Sequence, residues 1–146
     1  QAAGSKGGSS LSFTDTTAMV HSGHVDTAVI ETGWVTFGGD FGTGITAGFS
    51  TLGPVVELAA CAKRVFIAME HNTREGGPKL LNRCTLPITA PGVVKLLATD
   101  LGLFEITPEG FVLREHAPGW NPEEIQELTE AKLIIPPDLK EFRFRA

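Results

Sequence analysis

Glu70 and His71 stand side by side in "VFIAMEHNT", where an apolar run gives way to a polar one. A carboxylate beside an imidazole at the end of a buried strand can move protons as a general acid/base pair. The same two groups can instead hold loops in place by hydrogen bonding, and the residue types alone leave both readings open. Glu31, in "ETGW", is a second acid at an expected strand end, where ligands gather in parallel sheets. His21 and His24 are three apart, but Gly23 interrupts the helix between them and no acidic or cysteine third ligand lies nearby. Zinc is therefore not expected there. Cys61 and Cys84 lack metal-type spacing and sit in apolar settings, where cysteine serves as a small buried hydrophobe, and no disulfide is expected. The acidic run "EEIQELTE" reads as the solvated face of a helix.

These residues need a scaffold, and the order of elements is readable. "FTDTTAMVHSG" predicts a short helix, capped at Thr14 or Asp15, with an apolar stripe of Phe13, Ala18 and Met19 and a stop at Gly23. "VDTAVI" (25–30) and "RVFIAM" (64–69) are continuous apolar runs, which predicts central parallel strands covered on both faces. A glycine-rich loop, 31–53, separates them, and Pro54 suits the first turn of a helix through "VVELAAC". "APGVVKLLATD" (90–100) predicts a packed helix begun by Pro91. "LGLFEI" and "FVLREH" around "TPEG" predict a β-hairpin. Asn121 and Pro122 open a helix in "NPEEIQELTEAK", and "LIIPPDLKEFRFRA" ends the chain with a short strand broken by two prolines.

The 146 residues are 42% apolar and 20% charged, enough for one domain burying about 70% of its unfolded surface. Twelve basic side chains against 17 acidic ones give a net charge of −5, with the basic groups scattered, so nucleic acid is not an expected partner. No apolar run approaches the roughly 20 residues of a membrane helix and no signal-type core follows a charged start, so no membrane partner and a cytoplasmic location are expected. "QAAGSKGGSS" reads as a flexible linker or exposed end.

Four stretches carry a resemblance to a known family. "HSGHVDTAVI", "KRVFIAMEH", "LNRCTLPITAPGVVKLLATDLGLFEI" and "LREHAPGWNPEEIQELTEAKL" resemble, in order and spacing, the β subunit of family I CoA-transferases, over about residues 13–135. The resemblance implies an α/β fold, CoA-transferase-like in part, with a mostly parallel central sheet flanked by helices and a C-terminal hairpin. It implies segments at 1–12 (flexible), 13–137 (the family domain) and 138–146 (tail). The family's chemistry is nucleophilic: a glutamate carboxylate attacks an acyl-CoA thioester, forms an anhydride and then a glutamyl-CoA thioester, and passes CoA to an acceptor acid. A backbone oxyanion hole supports it, coenzyme A enters as substrate, and no metal or organic cofactor is needed.

Where the sequence departs from the family, the expectations change. The Glu-Asn-Gly motif holding the nucleophile lies upstream of "HSGHVD" in the family and does not occur here, so the chain is expected to be a C-terminal part without independent catalysis. The family's Gly-Met-Gly-Gly-Ala-Met-Asp-Leu run is replaced by "TLGPVVEL", where Gly53 remains and Glu57 stands for the aspartate. "TFGGD" aligns loosely with the family's Asp-x-x-Gly-Asn, so the resemblance implies Asp40 where the asparagine stands. Expected ligand contacts are thus Gly39, Asp40, Gly53 and Glu57, for an acyl-CoA, a nucleotide or a small acid. No catalytic residue is assigned: Glu31, Glu70 and His71 are the candidates, and because the family keeps the Glu-His pair while using another nucleophile, a positioning role is favoured for it. The alternatives are a fragment complemented by a partner that carries the glutamate, or a structural module. A homo-oligomer or a complex with a CoA-transferase subunit is expected in each case.

Overall fold

Local signals set the ends of the helices, as the computed structural model shows for residues 7–42, 52–84 and 87–143. Helix α1 (Phe13–His21) is capped by Ser12, whose Oγ accepts from the Asp15 N–H at 3.1 Å, so the cap lies two to three residues earlier than expected. It stops where Gly23 takes a left-handed φ of 75°. Val20, not Ala18 or Met19, is its buried anchor. Helix α2 (Leu52–Cys61) packs against it. Helix α3 (Pro122–Glu127) carries a full capping box: the Asn121 side chain accepts from the Glu124 N–H, and the Glu124 carboxylate accepts from the Asn121 N–H, both at 2.9 Å.

The larger sheet combines β1 (Thr27–Ile30), β4 (Arg64–Ala68), β6 (Val94–Ala98), β7 (Gly102–Thr107), β8 (Gly110–His116) and β10 (Lys140–Glu141) in that order, with β9 (Leu133–Ile134) also pairing β8. The β1–β4–β6 pairs and those of β8 with β9 and β10 are parallel, while β6–β7–β8 are antiparallel. The β7–β8 hairpin turns through Pro108 and Glu109, as expected. A smaller sheet pairs β2 (Trp34–Thr36) with β3 (Phe41–Gly42) and β5 (Leu80–Leu81). It occupies part of the expected glycine-rich loop, of which residues 43–51 lie outside the described ones. Gly42 is there for space, because a Cβ at that position would collide with the Trp34 ring.

Three expectations fail for stated reasons. Residues 94–98 form a strand, because a short apolar run is ambiguous by period and β4 and β7 offer hydrogen-bonding edges on both sides. Strand β1 is an edge of the described sheet, not a central strand. And among the described residues β1, β4 and β6 are fully covered on one face only. Ile30, Ile67, Leu97, Phe104 and Leu113 are aligned by register and buried with Val35, Phe41, Leu80 and Ile125 in one core. The alternate row, Val29, Phe66 and Leu96, faces the other way. Val29 is 67% exposed, and Phe66 and Leu96 are half-buried. No described helix is long and apolar enough to cross a membrane.

Candidate functional site

The parallel strands β1, β4 and β6 all end at the same edge of the sheet, where their carboxyl ends deliver Glu31, Glu70–His71 and Thr99–Asp100. This is where an α/β sheet presents ligands. The two members of the Glu-His pair nevertheless part company. Glu70 projects outward, its side chain 71% exposed and 3.7 Å from Lys79 Nζ. His71 turns inward and is 1% exposed. Glu31 is exposed as well.

Both ring nitrogens of His71 are occupied. Thr129 Oγ1 donates to the Ile125 carbonyl at 2.7 Å, so it is free to accept at 2.8 Å from His71 Nε2–H. Thr99 Oγ1 then donates to Nδ1 at 3.1 Å, and the network assigns the neutral Nε2–H tautomer. The Thr99 oxygen also accepts the N–H groups of Leu101 and Gly102 at the β6–β7 turn. The backbone N–H of His71 donates to Asp100 Oδ1 at 2.7 Å, and the ring centroid lies 5.5 Å from that of Phe104. Burial pushes the imidazole pKa down to about 4, against a smaller upward pull from the Asp100 carboxylate. A ring so enclosed has no free lone pair or proton to offer a substrate.

Two of the motifs singled out in the sequence meet here. Asn72 Nδ2 donates to the Leu128 carbonyl at 2.9 Å, the Ala131 N–H donates to the Leu80 carbonyl, and Glu130 Oε1 accepts from the Asn82 N–H at 3.1 Å. "MEHN" and its following loop are thereby stitched to "LTEA" after α3. Thr99, Asp100 and Thr129, the partners of His71, were not identified from the sequence, because polar residues up to 58 positions away carry no local signal of the pairing.

The expected ligand contacts fall in two places. Asp40 Oδ2 accepts from Thr36 Oγ1 at 3.0 Å and Oδ1 from the Gly92 N–H at 2.9 Å, so its carboxylate ties the β2–β3 turn to the turn before β6. Gly39 in that turn has φ 81°, and a Cβ there would sit 2.8 Å from the Val94 carbonyl oxygen. Gly39→Ala is expected to cost about 2 kcal/mol or more, combining left-handed strain with a backbone clash, as a urea melt would show. Gly53 and Glu57 instead lie within α2. Glu57 meets His21 at 2.5 Å, and Cys61 Sγ lies 3.5 Å from His21 Nδ1, so an acid and a cysteine do approach a histidine for which the sequence showed neither. Both cysteines are half-buried thiols. A separate cleft of about 820 Å³, lined by Glu115, Leu139, Lys140, Glu141 and Arg143, contains none of the expected site residues.

No family model matches the chain. It is 36% identical over 132 residues to the β chain of a probable coenzyme A transferase of Bacillus subtilis (strain 168), covering 89% of this chain and 61% of that protein. It is 35% identical over 140 residues to the β chain of the acetate CoA-transferase of Haemophilus influenzae, covering 94% and 63%. It is 34% identical over 131 residues to the corresponding chain of the 3-oxoadipate CoA-transferase of Pseudomonas putida, covering 88% and 62%. The chain thus spans a little over three fifths of the length of the curated relatives it matches. Among solved structures, the acyl-CoA transferase YdiF of Escherichia coli O157:H7 superposes with a TM-score of 0.75 at 18% identity, over 92% of this chain and 31% of that one. The decarboxylase AibA/AibB superposes with a TM-score of 0.75 at 17% identity, over 94% and 59%. A transferase and a decarboxylase on one scaffold mean that the fold by itself does not fix the chemistry.

Proposed function

From its similarity, over 88–94% of its length, to the β chains of CoA-transferases, we propose that the chain forms one wall of a CoA-transfer site whose nucleophilic glutamate comes from outside these 146 residues. The observation that carries this reading is the fate of the acid and base candidates. His71 is sealed into the fold by two threonines, and Glu31 and Glu70 are exposed acids with no activating base against them among the described residues. No Glu-Asn-Gly occurs in the 146 residues. A carboxylate nucleophile needs a dry, preorganised setting with oxyanion donors beside it, which neither exposed acid has among the described residues.

The open face of the sheet supports a partnered arrangement. Val29, Phe66 and Leu96 form a continuous apolar row, flanked by Ala68 and Leu103, on which Val29 is exposed and Phe66 and Leu96 are only half-buried among the described residues, with Arg64 over the Phe66 ring. Such a row fits a complementary CoA-transferase chain or segment better than water. Its substrates would be an acyl-CoA and a short carboxylic acid, the classes that appear in the relatives' names.

Thioester transfer from acetyl-CoA or succinyl-CoA to acetate or a 3-oxoacid tests the proposal. The 146 residues alone are expected to give no turnover, and addition of a CoA-transferase chain containing Glu-Asn-Gly is expected to give it. Turnover by the 146 residues alone that survives both Glu31→Ala and Glu70→Ala would refute the external nucleophile. Phe66→Lys is expected to weaken association at least tenfold in sedimentation of the mixture, without unfolding the domain.

A further inference from the structure

We propose that His21, Glu57 and Cys61 form a Zn²⁺ site that staples α1 to α2, leaving a fourth coordination position for water. Glu57 and Cys61 are four residues apart on α2, which puts both side chains on one face of that helix. His21 is the last residue of α1, and the packing of the two helices brings its ring over that face. His21 Nε2 lies 2.5 Å from Glu57 Oε2, and His21 Nδ1 lies 3.5 Å from Cys61 Sγ. One ligand atom from each residue can be chosen so that all three lie within 4.8 Å of one another.

A tetrahedral zinc with bonds of about 2.0–2.3 Å sets its ligand atoms roughly 3.3–3.8 Å apart. Closing from the observed spread takes about an ångström of side-chain rotation, with one ring nitrogen turned to the metal. His21 and Glu57 have that freedom, since their side chains are 54% and 40% exposed. The donor set decides the metal. A thiolate and an imidazole with one carboxylate suit Zn²⁺, whereas Ca²⁺ and Mg²⁺ take oxygen ligands. On binding, the Cys61 S–H bond breaks, the sulfur lone pair is donated to the metal and the proton passes to solvent. Without metal, the His21–Glu57 contact is a half-exposed polar pairing of the kind that contributes little.

What the ion would do follows from where it sits. α1 is anchored in the core by Val20, and it precedes β1, an edge strand of the larger sheet. A bridge between positions 21 and 57 closes the chain around that strand and restrains this edge of the described sheet.

Cobalt(II) serves as the optical probe. Titration of the unaltered chain with Co²⁺ is expected to produce a thiolate-to-cobalt charge-transfer band that saturates at one equivalent and is displaced by Zn²⁺. Cys61→Ser should abolish the band while Cys84→Ser leaves it intact. His21→Ala and Glu57→Gln should each weaken Zn²⁺ binding at least tenfold in competition with a chelating indicator, with circular dichroism confirming the fold. Absence of the band in the unaltered chain overturns the site even if every variant misfolds. So does a band that persists in Cys61→Ser, or Zn²⁺ affinity unchanged in both of the other variants.

Discussion

Replacing His71 by alanine should cost about 3 kcal/mol and lower the melting temperature by about 10 °C, whereas Glu70→Ala next to it should stay within roughly 0.5 kcal/mol. The contrast arises because two adjacent residues occupy opposite environments. Glu70 reaches into solvent and, among the described residues, pairs with Lys79 at 3.7 Å, a long contact open to water on the carboxylate side that contributes little. His71 joins three separate parts of the chain: the end of β4, the turn at Thr99 and the segment after α3 at Thr129. Truncation removes its packing on Phe104, opens a cavity and leaves two buried hydroxyls short of a partner. A double-mutant cycle with Thr129→Val should show coupling above about 1 kcal/mol, since the two groups touch directly. If His71→Ala melted within about 2 °C of the parent, the ring would not be a fastener between these segments.

Acid should weaken the fold through the same ring. In the unfolded chain an imidazole titrates near its ordinary 6.5, but in the folded protein burial holds His71 down to about 4. Between those values the unfolded state binds a proton that the folded state excludes, so stability falls as pH drops. The loss begins near pH 6.5, is complete near pH 4 and amounts to about 3 kcal/mol at most, at about 1.4 kcal/mol per pH unit. Urea unfolding at pH 7, 5.5 and 4.5 reads this directly. His71→Gln keeps an amide able to meet both threonines but has no proton to gain. The difference in stability between the two proteins should therefore narrow as pH falls across this window, while the carboxylates common to both cancel. A constant difference from pH 7 to 4.5 would contradict the buried neutral imidazole.

Elements whose signals are local were legible in the sequence. Asn121, Pro122 and Glu124 specify the start of α3 within four residues, and the capping box forms as those residue types allow. The Pro-Glu turn with Gly110 at a positive φ specifies the β7–β8 hairpin in the same way. Pro54 correctly placed a helix through "VVELAAC", and the four resembling stretches pointed to the CoA-transferase β subunits that the chain matches at 34–36% identity.

What depended on distant partners was not legible. "VVKLLA" suits a helix or a strand, and only the free edges of β4 and β7 make it a strand. Continuous apolarity in "VDTAVI" and "RVFIAM" suggested cover on both faces, yet the tertiary packing buries one row and leaves Val29 open, because apolar residues on a sheet need not all face the core. The sequence put Glu70 and His71 together, but the fold separated them, sending one into water and the other to Thr99 and Thr129. It also did the reverse, bringing Glu57 and Cys61 to His21 from 36 and 40 positions along the chain. The sequence by itself determined the likeness to CoA-transferase β chains, the start of α3 and the hairpin, since these rest on neighbours within a few residues or on motifs that keep their order. Which side chains face one another across the fold was decided by tertiary structure alone, because burial and pairing are properties of elements brought together and no single stretch carries them.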